Sequence, residues 1–484
     1  MCADPHDVIE PPQKEIESIG KFGPHGTLLF LDHLLVAAGG WIYWLIIVPK
    51  ITPFEVGQVT SVYSLVTLIS TLTQLGLEYP ILKSSSSQQH DQILLTALII
   101  ELALTTATVP IVPYIISNLF QQPLHGLSAN FTSIAVIILV LSSLSFVSRF
   151  ALLGISDIKS VLIIDLIGTG IKFVSGYALV SLGFGAFGML LSFLFQNLVV
   201  LSATIFVATK GGKLGYKVGN AKYIIGIIKD GLINTPSKFS RTLILSLSVV
   251  LLGSFGISSS DIGIFYISLM VSIVAIGSLA SSMAYVIIPI SSKLGTDLSS
   301  ASSRVTMSLN APMIAAIISS PKFILSIIGM QYLSGETILL VLSIAILPFS
   351  ITMNFISRFN NMDMSRRLVS IGFIEMLAFL IGFFVLVPHY GTLGAAFSTL
   401  TAFVTSSLLS LIWSEAKLIR YISASAAAIA GGVIASHVIG LIIYVHPVIA
   451  ILTSVIVSLG IVITLRNTST TEICQIVKGI VSRV

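Results

Sequence analysis

The polar residues best suited to chemistry open a long apolar run, NTPSKFSRTLILSLSVVLLG, which begins at Asn234. Asn234, Lys238 and Arg241 follow one another at intervals of four and three residues, which places them on one face of a helix. A guanidinium and an ammonium group together are the donors expected for a phosphate or pyrophosphate. Leu245 interrupts this face and Ser248 resumes it. The spacing therefore predicts a phosphate-binding face that is polar mainly in its first half.

These cations stand out because the rest of the chain is apolar. Hydrophobic residues make up 55% of the 484 residues, charged residues only 9%, and the mean hydropathy is +1.01. Soluble domains are about 45–50% apolar, so this composition predicts an all-helical, polytopic membrane protein. The net charge of +5 comes from scattered Lys and Arg residues, which predicts no nucleic-acid partner. Two cysteines in the terminal tails are too few for a disulfide scaffold, a metal site or a redox cofactor.

Fourteen apolar runs are long enough to cross a bilayer, which takes roughly 17–25 residues. An even number places both termini on one side. With the termini inside, the inside loops and tails hold nineteen Lys and Arg residues and the outside loops two, which predicts cytoplasmic termini in the cell membrane. Every connection is short, so we expect no soluble catalytic domain and no enzyme. The runs lie near residues 27–48, 56–77, 92–116, 131–153, 160–182, 186–208, 231–254, 262–290, 305–321, 335–357, 368–388, 392–414, 421–444 and 447–465.

An internal repeat appears when the chain is compared with itself at an offset of 206 residues. The letters EVG ending at Gly57 match DIG ending at Gly263, and GAFGMLLSFL from Gly185 matches GTLGAAFSTL from Gly391. The offset covers six runs, an even number, so the halves share one orientation about an axis along the membrane normal. The predicted parts are a cytoplasmic tail (1–25), a first six-helix lobe (26–208), a cytoplasmic connecting loop (209–230), a second lobe (231–416), two further helices (420–465) and a cytoplasmic tail (466–484).

Three segments carry a resemblance to a known family. They are ITPFEVGQVTSVYSLVTLISTLTQLGLEYPILK after the first run, DIGIFYISLMVSIVAIGSLASSMAYVIIPISSKL after the seventh, and YGTLGAAFSTL at the twelfth. Over residues 26–465 the chain resembles the multidrug/oligosaccharidyl-lipid/polysaccharide exporter superfamily, and fourteen runs resemble its polysaccharide-type flippases more than its drug exporters. The resemblance implies two lobes around a cavity that opens to one side at a time and moves a lipid-linked glycan outward. Implied partners are that glycan, membrane lipids, and glycosyltransferases or a polymerase of the same pathway.

The motifs of the family assign no functional residue, so the site must be sought among the charges. Ionisable residues inside a membrane are costly and normally face a cavity or a partner. Lys238 and Arg241 lie about 10–16 Å along the helix from the start of their run. They either face a cavity or extend their charged groups to the interface, which a late helix start at Pro236 would favour.

The repeat register places Asp32 of the first run opposite Lys238. Asp32 is thus a candidate to neutralise the phosphate-binding cations, or to carry a coupling proton or sodium ion. A structural ion pair that closes an inner gate remains the alternative.

Three further acids are candidates for cation coupling: Glu101, Asp165 and Glu375. Asp165 and Lys172 share a helical face, and two turns separate them by roughly 10 Å along the helix axis, which favours a structural role for the pair with one end facing the cavity. Arg149 falls near the cytoplasmic end of its run, which favours an interfacial anchor.

Two other classes of function compete with a flippase. A cation-coupled exporter of amphipathic drugs needs a cavity that attracts cations, which Asp32, Glu101 and Glu375 would provide and Lys238 and Arg241 would oppose. A membrane-embedded glycosyltransferase or polymerase calls for a sizeable outside loop, and the outside loops are short. The sequence therefore favours the flippase.

Overall fold

The computed structural model describes most of the chain, and every regular element within the described residues is a helix. The described residues are 24–85, 90–118, 129–155, 157–210, 214–215, 217–283, 299–361, 364–414, 418–442 and 446–465.

Sixteen α-helices lie within the described residues, beside shorter 3-10 and π-helical segments. They are α1 Pro24–Ile47, α2 Pro53–Thr73, α3 Glu78–Ser85, α4 His90–Thr108, α5 Ile111–Asn118, α6 Ala129–Gly154, α7 Ile158–Ser181, α8 Gly185–Thr209, α9 Ala221–Ser254, α10 Ser259–Leu269, α11 Ser299–Ser319, α12 Pro321–Ile328, α13 Glu336–Asn361, α14 Ser365–Ser414, α15 Ile419–Ile442 and α16 Pro447–Thr464. After Leu269, α10 continues to Met283 through a π-helical turn at Met270–Val274.

The described residues include eleven helices that are long and apolar enough to cross a membrane. A twelfth is present if α11 and α12, which are bent by 84° relative to each other, form one span. Helix α14 consists of two helices joined at Gly391, where the backbone is not helical (φ 56°, ψ −131°). An all-helical, multi-pass chain is confirmed, and the count of fourteen spans stays a prediction.

The helix that carries Lys238 and Arg241 begins earlier than expected. It starts at Ala221, where the side chain of Asn220 accepts a hydrogen bond from the Tyr223 amide at 2.9 Å. The second half of the predicted loop 209–230 is therefore helical. The helix also continues through Pro236, so the expectation of a late start there is wrong.

An amphipathic extension explains the early start. Ile227 is buried, and Ile224 and Ile228 pack with it against a hydrophobic cluster that includes Leu77 of the α2–α3 connection and Ile93 of α4. A scan for uniformly apolar windows misses such a segment because charged residues occupy its other face. Consequently, Lys238 and Arg241 lie near the middle of a 34-residue helix, about 26 and 30 Å from its first residue.

Helices α2 and α10 each begin with a side-chain cap that joins the residue before the helix to the residue three positions later. Before α2, the Thr52 side chain accepts a hydrogen bond from the Glu55 amide, and the Glu55 carboxylate accepts one from the Thr52 amide at 2.9 Å. Before α10, the Ser258 hydroxyl donates to the Asp261 carboxylate at 2.6 Å and accepts from the Asp261 amide at 3.2 Å. Such caps satisfy amides that a helix start leaves without partners, and the cap before α2 is reciprocal because both of its residues receive an amide hydrogen bond.

The backbones of α2 and α10 touch where these two helices cross, a contact named here the outer crossing. A Cβ atom on Gly57 would overlap the carbonyl oxygen of Ser259, and a Cβ atom on Gly263 would overlap that of Pro53. Only glycine permits backbones to approach this closely. The two glycines that match at the 206-residue offset thus lie on the two sides of one contact.

Candidate functional site

One arginine holds together three helices. The guanidinium of Arg149, on α6, donates through Nη2 to Oδ2 of Asp32 on α1 at 2.5 Å. Its Nε donates to Oδ2 of Asp165 on α7 at 2.7 Å. Asp32 is fully buried, Asp165 is nearly so, and the Arg149 side chain is 19% exposed. These three residues are named the charged cluster.

The charged cluster contains two carboxylates and one cation. Oδ1 of Asp32 is buried and has no hydrogen-bond partner among the described residues. Buried charge is costly unless it is paired, so the excess carboxylate favours an additional positive charge. A proton or a small cation is the chemistry that this arrangement can accommodate. Within the described part of the chain, no group of three or more His, Cys, Asp and Glu residues is arranged to hold a metal ion.

The charged cluster opens into a cavity of about 380 Å³, named the polar cavity. Arg149 and Asp165 reach it, together with three carboxamide side chains and a set of hydroxyls. The described residues that line it are His33, Val36, Tyr63, Val66, Thr67, Ser70, Thr71, Gln74, Ser142, Ser145, Phe146, Arg149, Asp165, Gln196, Asn197 and Val200. So many hydrogen-bonding groups among membrane-spanning helices indicate a polar ligand.

A second cavity of about 310 Å³, named the aromatic cavity, adjoins the first. Tyr63 and Thr67 line both cavities. The described residues that line the aromatic cavity are Tyr63, Ser64, Thr67, Leu245, Ser246, Tyr266, Leu269, Met270, Ser281, Phe349 and Met353. Its wall includes Met270, the first residue of the π-helical turn, and such turns are frequent at functional sites. The two cavities together suit a ligand with a polar part and a less polar part.

Lys172 lies apart from the charged cluster. Lys172 is buried, and its Nζ lies 5.0 Å from the centre of the Tyr43 ring and 5.8 Å from the centre of the Phe193 ring. Tyr43 in turn hydrogen-bonds Ser192 at 2.7 Å. Asp165 pairs with Arg149, so the two charges that share a face of α7 have different partners.

The other two predicted acids lie outside both cavities. Glu101 on α4 is fully buried and accepts hydrogen bonds from Thr73 at 3.0 Å and from Thr105 at 3.4 Å. Glu375 is buried in the first half of α14. Neither residue lines the polar or the aromatic cavity.

The phosphate-binding face predicted on α9 is only partly described. Asn234, Lys238 and Arg241 belong to the helix, but their side chains lie outside the described residues. Ser248 is buried and donates to the carbonyl of Leu245 at 2.8 Å, so its hydroxyl is used within its own helix. Leu245, which the spacing places on the face of Lys238 and Arg241, lines the aromatic cavity.

A comparison with protein families decides the relationship of the chain. A family model described as polysaccharide biosynthesis protein matches residues 50–337, which is more than half of this chain. The chain belongs to this family. No curated protein matches it.

Solved structures show which fold this polysaccharide biosynthesis protein has. The lipid II flippase MurJ in an inward closed conformation superposes with a TM-score of 0.70 at 13% identity, over 90% of this chain and 98% of that one. An inward-facing multidrug resistance MATE family transporter of the MOP superfamily gives a TM-score of 0.63 at 16% identity, over 83% and 98%. An outward-facing MATE transporter gives 0.57 at 14% identity, over 85% and 98%. These structures show the fold, and together with the family model they bear out the superfamily that the sequence resembles.

The sequence of this family member does not reveal the role of Arg149. The interpretation of Arg149 as an interfacial anchor is wrong, because two buried carboxylates from other helices hold its guanidinium. Gln196 and Asn197 were also missed. The available signal was a pair of adjacent carboxamides in the apolar run of α8, which cost free energy in a membrane unless they find partners.

Proposed function

We propose that the chain is a flippase. It moves an oligosaccharide or polysaccharide precursor, linked to a polyprenyl phosphate or pyrophosphate, across the cytoplasmic membrane by alternating access. The observation that carries this proposal is the polar cavity, with Arg149, Asp165 and three carboxamides among the membrane helices of a polysaccharide biosynthesis family member. A buried set of hydrogen-bonding groups suits a hydroxyl-rich ligand that must be shielded from lipid.

The proposed architecture has fourteen spans with both termini in the cytoplasm. The eleven apolar helices become fourteen when α9, the bent pair α11 and α12, and the second half of α14 are each counted. Two six-helix lobes, 26–208 and 231–416, are supported by matched geometry at the repeat offset. Gly185 and Gly391 both have positive φ, 48° and 56°, at corresponding helix starts.

In the proposed topology, the protein is closed on its outer side in this conformation. The outer crossing joins the first turns of α2 and α10, the ends that the proposed topology places outside. The polar cavity instead lies near the opposite ends of its helices, since Gln74 directly follows α2 and Arg149 precedes the end of α6 by five residues. Substrate would therefore be loaded from the cytoplasmic side.

The phosphate of the substrate is assigned to α9. Asn234, Lys238 and Arg241 supply its donors, and Ser248 lies further along the same face. This assignment is supported by Leu245, which shares that face and lines the aromatic cavity. Asp32 contributes through the charged cluster rather than as the neutralising partner of Lys238.

Coupling to a proton or sodium ion is assigned first to Asp32 and Asp165. Their two carboxylates share one guanidinium, so a cation bound there would balance the charged cluster. Glu101 and Glu375 are buried acids outside the cavities and rank below them. Glycosyltransferases or a polymerase of the same pathway would supply or consume the lipid-linked glycan.

A cation-coupled exporter of amphipathic drugs is the second candidate. Tyr63, Tyr266, Phe349 and two methionines in the aromatic cavity favour it, because flexible and aromatic side chains accommodate varied apolar ligands. The excess carboxylate of the charged cluster would suit a cationic drug.

Loss of the gene separates these two functions in cells. A flippase mutant is expected to lose surface polysaccharide and to accumulate lipid-linked glycan with its sugars facing the cytoplasm, because loading continues without export. The measurement is the extracted lipid-linked glycan together with surface polysaccharide, with the wild-type gene returned as the control. Normal polysaccharide with a heightened sensitivity to cationic dyes would favour the drug exporter instead.

A further inference from the structure

We infer that the polar cavity binds a short stretch of the glycan and that its carboxamides Gln196 and Asn197 recognise sugar hydroxyls. This inference rests on the proposed function, because it concerns which part of the lipid-linked glycan lies where. It assigns the sugars to the helices α1, α2, α6, α7 and α8, and leaves the phosphate to α9.

The charged cluster argues against a phosphate in the polar cavity. Arg149 already directs Nη2 and Nε at the carboxylates of Asp32 and Asp165. A phosphate bound to Arg149 would lie beside both of these acids, and like charges repel strongly where water is scarce. Among the described residues of the cavity wall, Arg149 is the one arginine, and its charge is already balanced by two carboxylates, so the cavity suits a neutral polar ligand better than an anion.

The carboxamides supply the hydrogen-bonding capacity that remains. Gln196 lines the polar cavity, and its side chain makes no hydrogen bond to any of the described residues. Asn197 donates to the Phe193 carbonyl at 2.8 Å and accepts weakly from Ser145 at 3.5 Å, which leaves one of its amide hydrogens for a ligand. A carboxamide presents a donor beside an acceptor, so it matches a sugar hydroxyl, which also donates and accepts. A phosphate would use only the donor.

An aromatic wall and the size of the space agree with a sugar. Tyr63 stacks on Phe193, with ring centres 4.4 Å apart and planes inclined by 21°, and it lines both cavities. The C–H face of a pyranose packs well on such a ring, while its hydroxyls point sideways to polar groups. A volume of 380 Å³ is near the lower end of the roughly 300–1,000 Å³ of ligand pockets, which limits the site to a short stretch of glycan.

Equilibrium binding to the purified full-length protein tests the inference. The probes are a polyprenyl pyrophosphate that carries a disaccharide and the same lipid without sugar. Wild type is expected to bind the sugar-bearing lipid more tightly. Gln196→Ala removes no hydrogen bond within the described protein, so the variant should fold normally. Its affinity for the sugar-bearing lipid should fall by about threefold to tenfold. The affinity of the double variant Gln196→Ala, Asn197→Ala for the sugar-bearing lipid should fall by about tenfold or more. Both variants should bind the sugar-free lipid as wild type does.

Asn118→Ala is the matched control, because it removes an exposed carboxamide that donates only within its own helix, to Tyr114 at 2.8 Å and Ser117 at 3.1 Å. It should bind both lipids as wild type does. If these Gln196 variants lost affinity for both lipids equally, or for neither lipid, the inference would be overturned. The proposed flippase function of the wild-type protein would be unaffected by that result. Failure of wild type to bind or flip any lipid-linked glycan would instead overturn the proposed function itself, and the inference with it.

Discussion

Arg149→Ala is expected to lower the thermal stability of the purified protein sharply and to abolish transport. The substitution leaves Asp32 and Asp165 buried side by side without their shared cation. Removing one partner of a buried ion pair typically costs about 3–5 kcal/mol, because the remaining charge is neither hydrated nor paired. The measurement is the unfolding temperature in detergent, together with the amount of protein in the membrane.

A matched set of variants separates stability from function. Arg366→Ala removes an exposed arginine and should leave both quantities unchanged. Adding Asp32→Asn and Asp165→Asn to Arg149→Leu should restore stability, because a neutral cluster no longer needs a cation. The triple variant should still fail to transport if these charges couple transport to a cation. An Arg149→Ala protein with wild-type stability and activity would contradict the importance assigned to the charged cluster.

Gly57→Ala is expected to open the outer side of the protein and to reduce transport strongly. The new Cβ atom would overlap the carbonyl oxygen of Ser259, so α2 and α10 would have to separate at the outer crossing. A backbone carbonyl cannot rotate away as a side chain can, so the conformation with a closed outer side loses stability relative to the other. Gly263→Ala should act in the same way through Pro53.

Accessibility of a cysteine in the aromatic cavity measures this opening. Ser281→Cys, in a protein whose Cys2 and Cys474 are replaced by serine, should react with a membrane-impermeant thiol reagent from outside only when the outer crossing is broken. Gly40→Ala and Gly170→Ala are the controls, because a Cβ atom at either position meets no other atom within 4 Å. They should leave Ser281→Cys protected. Continued protection in Gly57→Ala would contradict a gate at the outer crossing.

The fold was largely accessible from sequence because it depends on local properties. Hydropathy predicted a multi-pass helical chain, and degenerate glycine motifs predicted the superfamily. The repeat search also singled out Gly57 and Gly263, although only the structure reveals that they touch each other. The start of α9 at Ala221 was missed, because its first turns are amphipathic and a hydropathy scan detects only uniformly apolar segments.

The candidate site was less accessible because its contacts are long-range. Asp32 and Asp165 were singled out as ionisable residues inside the membrane, but the partner of Asp32 is 117 positions away in sequence. The repeat register suggests Lys238 as the partner of Asp32. A register aligns equivalent positions of the two lobes, but it carries no information on which side chains meet within one lobe. The carboxamides of α8 carry no charge and so do not stand out in an apolar sequence, whereas neutral hydrogen-bonding groups form much of the polar cavity.

Transfer of a lipid-linked oligosaccharide between the leaflets of reconstituted vesicles tests the proposed function most directly. A fluorescent polyprenyl-pyrophosphate-linked oligosaccharide is placed in the vesicles, and its exposure to a reagent confined to the outside is followed over time. Wild type is predicted to transfer the lipid. The double variant Lys238→Ala, Arg241→Ala should transfer none at normal protein abundance, because the phosphate has lost its donors. Wild-type vesicles that transfer no such lipid but transport cationic dyes would contradict the flippase, and full activity of the double variant would contradict the phosphate site on α9.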